Sequence, residues 1–460
     1  MNMTRQLSCI LASVLPLFPS VQAFLPHTLQ NVGITRASVL APSETPRSHP
    51  GVLRMETGVN VEEPPLAPSG YPYWPVFSVD ATAEALRVRL GGQERELPQL
   101  VKVQGNETAS FPPRRYSTWT WTHTGEPAYA TSGGRKSYSI NYRVEGREGD
   151  RPLLLIHGFG ASVNHYKYNI ETIAAAGYRV YAIDLLGFGA SDKPEDIKIC
   201  LELWRDQIRD FIETMSKTHK DPEKRWVIAG NSIGGLLTLM TADALGDRMA
   251  AGVMFNASGG LTSVRDSELN WWQKGIWWFF RTVILSDFLG NLFFERTRNP
   301  ENLRSTLALL YGDKGSVTEE LANILLQPAD DKGALTVFLK TFRAEAGPSP
   351  EEILPRLPPS LPLLAIWGDE DPWTPFDKGM HPGSRFPSLN PSVEISLFPK
   401  TGHCPHDDRP AAVNKALLEW LDRKGLPFND PREAVSEGGS EVGREGEVVS
   451  SNAPSESGAR

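Results

Sequence analysis

An α/β fold, with a mostly parallel sheet flanked by helices and an inserted helical cap, is predicted for this chain from three observations. Short apolar runs recur at Pro152–Ile156, Trp226–Gly230, Leu361–Trp367 and Val393–Phe398, with helical stretches between several of them. That alternation builds a parallel sheet covered on both faces. Each run also breaks into a loop rich in glycine and polar residues, the kind of loop that carries chemistry at the ends of strands. Finally, roughly a hundred residues without a core-strand pattern separate Phe255-Asn256 from Leu361, long enough to form a cap of their own.

The second run leads into Gly230-Asn231-Ser232-Ile233-Gly234-Gly235. It reads as a buried strand, a sharp turn and a helix with serine at the apex, the G-x-S-x-G nucleophile elbow. A serine hydroxyl is a poor nucleophile and must stand where a base can reach it. Glycines on both sides allow the turn, because a Cβ there would meet the neighbouring strand and helix. The first run ends in His157-Gly158-Phe159-Gly160, a turn whose backbone N–H at Phe159 can face a developing oxyanion. Ile233, after the serine, supplies the second N–H. The later runs end in Gly368-Asp369-Glu370-Asp371-Pro372-Trp373 and Thr401-Gly402-His403-Cys404-Pro405-His406. Serine, then aspartate, then histidine, each on a loop after a strand, is the order of the α/β-hydrolase fold.

Ser232 is therefore expected as nucleophile, His403 as general base and then acid, and Asp371 as the carboxylate that orients the imidazole. Two rivals stand beside them. Asp369 is adjacent to the acid, but Asp371 falls three residues after Gly368 and before a Pro-Trp turn. His406 follows three residues after His403, but the Gly-His pair directly after the strand favours His403, leaving His406 to the loop or rim. His157 is expected to brace the oxyanion turn rather than carry a proton. The run Ile183-Asp184-Leu185-Leu186-Gly187-Phe188-Gly189 has neither the Walker nor the dinucleotide glycine spacing, so it reads as a structural strand-to-loop turn.

The rest of the chain sets limits. A net charge of −8 with no sustained basic block argues against a nucleic-acid partner. The three cysteines, Cys9, Cys200 and Cys404, have neither zinc nor disulfide-framework spacing, and no metal or cofactor is implied. Asn106-Glu107-Thr108 and Asn256-Ala257-Ser258 fit the glycosylation pattern by coincidence, the second lying at the end of a core strand. Residues 1–54 read as a leader: an apolar Leu7–Phe18 behind Arg5, small residues closing at Ala23, then an acid-poor, hydroxyl-rich stretch. Such a two-part leader is expected to direct the chain to a plastid inside additional membranes, with secretion as the alternative. Residues 55–115 form a Pro/Gly-rich extension. The catalytic domain is expected at 116–424, with its cap at about 257–350, and a disordered tail at 425–460.

The cap carries Trp271-Trp272, Trp277-Trp278-Phe279-Phe280, Phe288-Leu289 and Leu292-Phe293-Phe294, interrupted by Lys274, Arg281 and Asp287. Those charges argue against a membrane-spanning helix. The aromatic density suits an apolar tunnel for a long chain, a surface resting in a membrane interface, or both.

From Tyr116 to Leu421 the chain resembles the plastid α/β-hydrolases that remove phytol from chlorophyll pigments, the chlorophyll dephytylases and pheophytinases. The likeness rests on Ser117–Trp121, His157–Ala161, Tyr181–Pro194, Leu203-Trp204-Arg205-Asp206-Gln207, the elbow, Trp367–Trp373 and Gly402-His403-Cys404-Pro405-His406-Asp407. The cap strings Leu289–Phe294, Val317–Leu321 and Gly333–Phe338 resemble the dephytylases, whereas His157-Gly158 departs from the Pro-Gly of the pheophytinases. The resemblance implies hydrolysis of the phytyl ester of chlorophyll or pheophytin, next to a thylakoid membrane. Rival functions are hydrolysis of another lipid ester, carbon–carbon bond hydrolysis, and ligand binding without turnover.

Overall fold

The computed structural model describes residues 81–102, 116–123, 129, 136–221, 223–261, 271, 274, 278, 286–379 and 381–426. The expected leader, nearly all of the expected tail and most of the aromatic run between 262 and 285 lie outside them.

Eight strands make one sheet among the described residues: β3 (Tyr116–Thr122), β4 (Ser137–Glu145), β5 (Arg151–Ile156), β6 (Tyr178–Ile183), β7 (Trp226–Asn231), β8 (Met249–Phe255), β9 (Leu363–Gly368) and β10 (Val393–Phe398). Their order is β10-β9-β8-β7-β5-β6-β4-β3. The pairs from β10 through β6 are parallel, and β4 pairs antiparallel with both β6 and β3. The central strands read as unbroken apolar runs because both faces are covered: every residue of β7, β8 and β9 is buried.

On one face lie α2 (Leu201–Thr218) and α3 (Ile233–Leu245). Helix α3 is buried nearly all round, as a helix in the middle of a core must be. On the other face α1 (Ile170–Ala175) and α8 (Pro410–Arg423) pack with Leu153, Leu155, Val253 and Ile366. Between β8 and β9 the chain forms the cap, whose described helices are α4 (Asp287–Thr297), α5 (Pro300–Leu310), α6 (Glu319–Leu326) and α7 (Ala334–Arg343).

Residues 81–102, inside the stretch that reads only as Pro/Gly-rich, hold an antiparallel hairpin of β1 (Ala81–Leu90) and β2 (Gln93–Lys102). It docks on α8: the N–H groups of Arg89 and Gly91 donate to Glu419 and Asp422 at 3.0 Å each. Leu86, Val88 and Leu90 join the core beneath.

Strand order reverses around β5, which lies between β6 and β7. In open parallel sheets the crevice beyond the carboxyl ends at such a reversal is where ligands bind. The loops after β5, β7, β9 and β10 all open there.

Candidate active site

Ser232 sits between β7 and α3 with φ of 55° and ψ of −115°, a left-handed conformation that L-residues adopt only under constraint. The constraint comes from both sides. Ser232 N–H donates to Phe255 O at 2.9 Å, and Ser258 N–H donates to Ser232 O at 3.0 Å. Glycine is required at two flanking positions. A Cβ on Gly230 would strike the Gly234 backbone, and one on Gly234 would strike the carbonyl oxygen of Ile156. The elbow is thereby pressed against the end of β5. Gly158 closes the approach: a Cβ there would lie 3.1 Å from Asn231 Oδ1 and 3.3 Å from Ser232 Cβ.

Phe159 and Ile233 flank this junction, one on the β5 turn and the other at the first position of α3. Among the described residues no acceptor takes the N–H of either. First-turn helix N–H groups have no partner inside the helix, so that of Ile233 is open to a ligand. The ring of Phe159 packs edge-on to Phe188 and to Phe342 of α7, with centroids 5.7 and 5.2 Å away.

His403 Nδ1 and Asp371 Oδ2 are 2.8 Å apart, both groups buried. Asp369 and Glu370 are exposed on the same loop, so the carboxylate that meets the imidazole is Asp371. Its Oδ1 accepts from the N–H groups of Trp373 and Thr374 at 2.8 and 3.1 Å. Its Oδ2 also accepts from Thr374 Oγ1 at 2.5 Å and from Asn256 Nδ2. Burial alone would raise this acid. The His403 charge, the hydrogen bond to it and those from Thr374 and Asn256 hold it down to about 2. The Trp373 ring lies 5.3 Å from the imidazole.

His157 is occupied by backbone on both sides: Nδ1 pairs with Gly158 O at 2.7 Å, and Nε2 accepts from Leu185 N–H at 3.0 Å. Full burial lowers its basicity, as a neutral bracing imidazole requires. Asp184 has a similar bracing part. It accepts from Val163 N–H, Ala190 N–H and Asn141 Nδ2 at 2.7 to 2.8 Å. The string Leu203–Gln207 supports the same loop: Trp204 Nε1 donates to Leu186 O, and Gln207 Oε1 accepts from Leu186 N–H, both at 2.9 Å.

One expectation is corrected. His406 is no rim residue: it is fully buried, with its ring 4.6 Å from those of Tyr166 and His165 and 5.6 Å from that of Phe255. The proline before it starts a helical turn at Pro405–Asp408 that rolls the side chain under the loop.

Three residues escaped the sequence reading. Asn256 reads as a chance glycosylation signal, yet it is buried and ties the ends of β8 and β9 to Asp371, accepting from Gly368 N–H at 3.1 Å. Asn231 links the elbow to the histidine loop, donating to His403 O at 3.0 Å and Phe255 O at 3.1 Å. Its place inside the elbow pentad was the available signal. Thr374 offered none. Among the described residues no group of three or more His, Cys, Asp or Glu is arranged to hold a metal ion.

The arrangement places a strained serine, two open N–H groups and a histidine–carboxylate pair at one end of one sheet. Comparison with known proteins agrees with the architecture. The chain is 26% identical to the chloroplastic pheophytinase of Arabidopsis thaliana over 350 residues, covering 66% of this chain and 70% of that one. It is 25% identical to a 2-hydroxy-6-oxononadienedioate/2-hydroxy-6-oxononatrienedioate hydrolase of Burkholderia vietnamiensis, covering 62% and 91%. A thermophilic esterase from Thermogutta terrifontis shares the fold at a TM-score of 0.50 and 20% identity, covering 67% of this chain and 99% of the esterase. The sequence model of the alpha/beta hydrolase family matches residues 153–416, more than half of the molecule and every loop just described, and the chain belongs to that family.

Proposed function

We propose that this hydrolase cleaves the phytyl ester of chlorophyll-type pigments, with Ser232 as nucleophile, His403 as general base and acid, and Asp371 as its orienting carboxylate. His403 takes the Ser232 proton as the oxygen attacks the ester carbonyl, and the N–H groups of Phe159 and Ile233 receive the oxyanion. Collapse expels phytol, protonated by His403. Water, deprotonated by the same imidazole, then cleaves the acyl-enzyme and frees the pigment carboxylate. Each oxyanion donor is worth on the order of 100- to 1,000-fold in rate.

The observation that carries the reading is an aromatic wall joined to the elbow. Phe159 touches Phe338 and Phe342 of α7, and Phe338 in turn touches Phe293 and Phe294 of α4. An ester with a long isoprenoid tail or a flat macrocycle fits such a surface, whereas a small charged acid does not. The 26% identity to a pheophytinase supports the same substrate class. A pigment ester is presented from a membrane, and the cap has residues suited to that contact: Trp271 and Trp278, one heptad apart, are 85% and 64% exposed. Among the described residues no helix is long and apolar enough to cross a bilayer, and the contact proposed here is a peripheral one at a plastid membrane.

The test is turnover of chlorophyll a and pheophytin a, side by side in detergent, with Ser232→Ala as blank. Phytol release that vanishes in the variant supports the proposal, and the ratio of rates gives the preferred pigment. Variant-sensitive hydrolysis of short esters with no phytol from either pigment would remove the pigment assignment. Activity on a vinylogous diketone but on no ester would make it a carbon–carbon bond hydrolase.

A further inference from the structure

Asp408 touches none of the groups given a chemical role, yet it occupies the crossing where the cap meets the histidine loop. The residue is 3% exposed, and its carboxylate accepts three backbone N–H groups: Gly402 and Gly312 at 2.8 Å each, and Asp313 at 3.0 Å. Gly402 immediately precedes His403. Gly312 and Asp313 follow α5 and form the foot of the cap. A second link is direct, because the N–H of His403 donates to Leu310 O, the last residue of α5, at 2.7 Å. The two segments cross without room for side chains. A Cβ on Gly402 would strike Leu310 O, and one on Gly312 would strike Lys400 O.

We propose that Asp408 is a positioning residue that clamps the cap foot, Leu310–Asp313, to the histidine loop, so that the placement of His403 depends on the cap. The proposal rests on the reading of His403 as general base. Three N–H groups converge on one buried carboxylate, and their hydrogen bonds hold both sides of the crossing from a single point. Because the backbone of His403 hangs from Leu310, a shift of the foot moves the imidazole with it. A displacement of about 1 Å at a reacting group can cost on the order of 100-fold. Seating of the cap over substrate and placement of the base are thereby one event.

The experiment uses the full chain and a fluorophosphonate probe, measuring both the rate at which Ser232 is labelled and the number of sites labelled. Asp408→Asn puts an NH2 where an N–H must be accepted, and Gly312→Ala displaces the foot without changing a charge. Both are expected to label fully but about 10- to 100-fold more slowly. The same drop is expected in kcat for a p-nitrophenyl ester, with KM within about threefold of wild type. A purely structural role would instead lower the number of labelled sites and leave the rate per site alone, which would overturn the proposal. So would wild-type rates per site in the variants. If Asp408→Asn does not fold, Gly312→Ala decides in the same readout. His403→Ala separates the two layers: wild-type labelling there overturns the general-base reading and the clamp together. A dead His403→Ala beside fast Asp408→Asn and Gly312→Ala overturns the clamp alone.

Discussion

Asn256 donates its side-chain amide to the carboxylate of Asp371 from a fully buried position at the end of β8. Its backbone is left-handed, with φ of 44°, a conformation that asparagine tolerates better than most residues. The same side chain accepts from Gly368 N–H, so one residue sets both the strand end that launches the acid loop and the acid itself. Asn256→Gly keeps the backbone conformation and removes these hydrogen bonds, together with a longer one to Gly402 O at 3.4 Å. It should lower kcat about 10-fold or more, because losing such support leaves a buried charge less satisfied. Asn256→Ala adds backbone strain, and should melt lower than the glycine variant. Equal kcat for wild type and Asn256→Gly would show that Asp371 needs no help from β8.

Asp371 also makes stability depend on pH. Its pKa is held at about 2, below the usual 3.8, so the unfolded chain takes up this proton at higher pH than the folded one does. The contribution is therefore fully present above about pH 4 and is lost as pH falls toward 2, amounting to on the order of 2 kcal/mol. Denaturant melts of wild type and Asp371→Asn should differ most at neutral pH and converge between pH 4 and 2. A gap that stays constant over that interval would mean the carboxylate is not held ionised by the fold. The same shift keeps Asp371 ionised above pH 5, so a loss of activity between pH 5 and 7 has to come from another group.

The sheet and the elbow were legible because they are encoded locally. The apolar runs at β5, β7, β9 and β10 are short local strings, and the glycines of the elbow announce a turn that excludes Cβ atoms. Asp371 stood out from Asp369 through its spacing from Gly368 and the Pro-Trp turn that follows it, and the structure separates them by burial. What could not be read was long-range. Asn256 reaches Asp371 across 115 residues, and Asn231 reaches His403 across 172. No local pattern marks a side chain as a strut between strand ends. The hairpin β1–β2 was hidden for a different reason. It lies inside a stretch that reads only as a Pro/Gly-rich extension, and its apolar residues count as a buried face only once α8 is packed against them.

Phe342 tests whether the aromatic wall belongs to substrate or merely to the cap's own packing. Its ring lies 5.2 Å from Phe159, 4.8 Å from Phe338 and 6.3 Å from Phe293, yet the residue is only part-buried, which leaves surface for an apolar chain. Phe342→Ala should lower kcat/KM for a phytyl ester at least about 10-fold, since each methylene left uncovered is worth about 0.8 kcal/mol. A short p-nitrophenyl ester has no isoprenoid chain to lose contact and should lose less than about threefold. Phe342→Leu, which restores apolar contact without the ring, should recover most of the difference. Equal losses on long and short esters would mean that the ring acts only by bracing Phe159, and the site of the isoprenoid chain would then have to be sought away from α7.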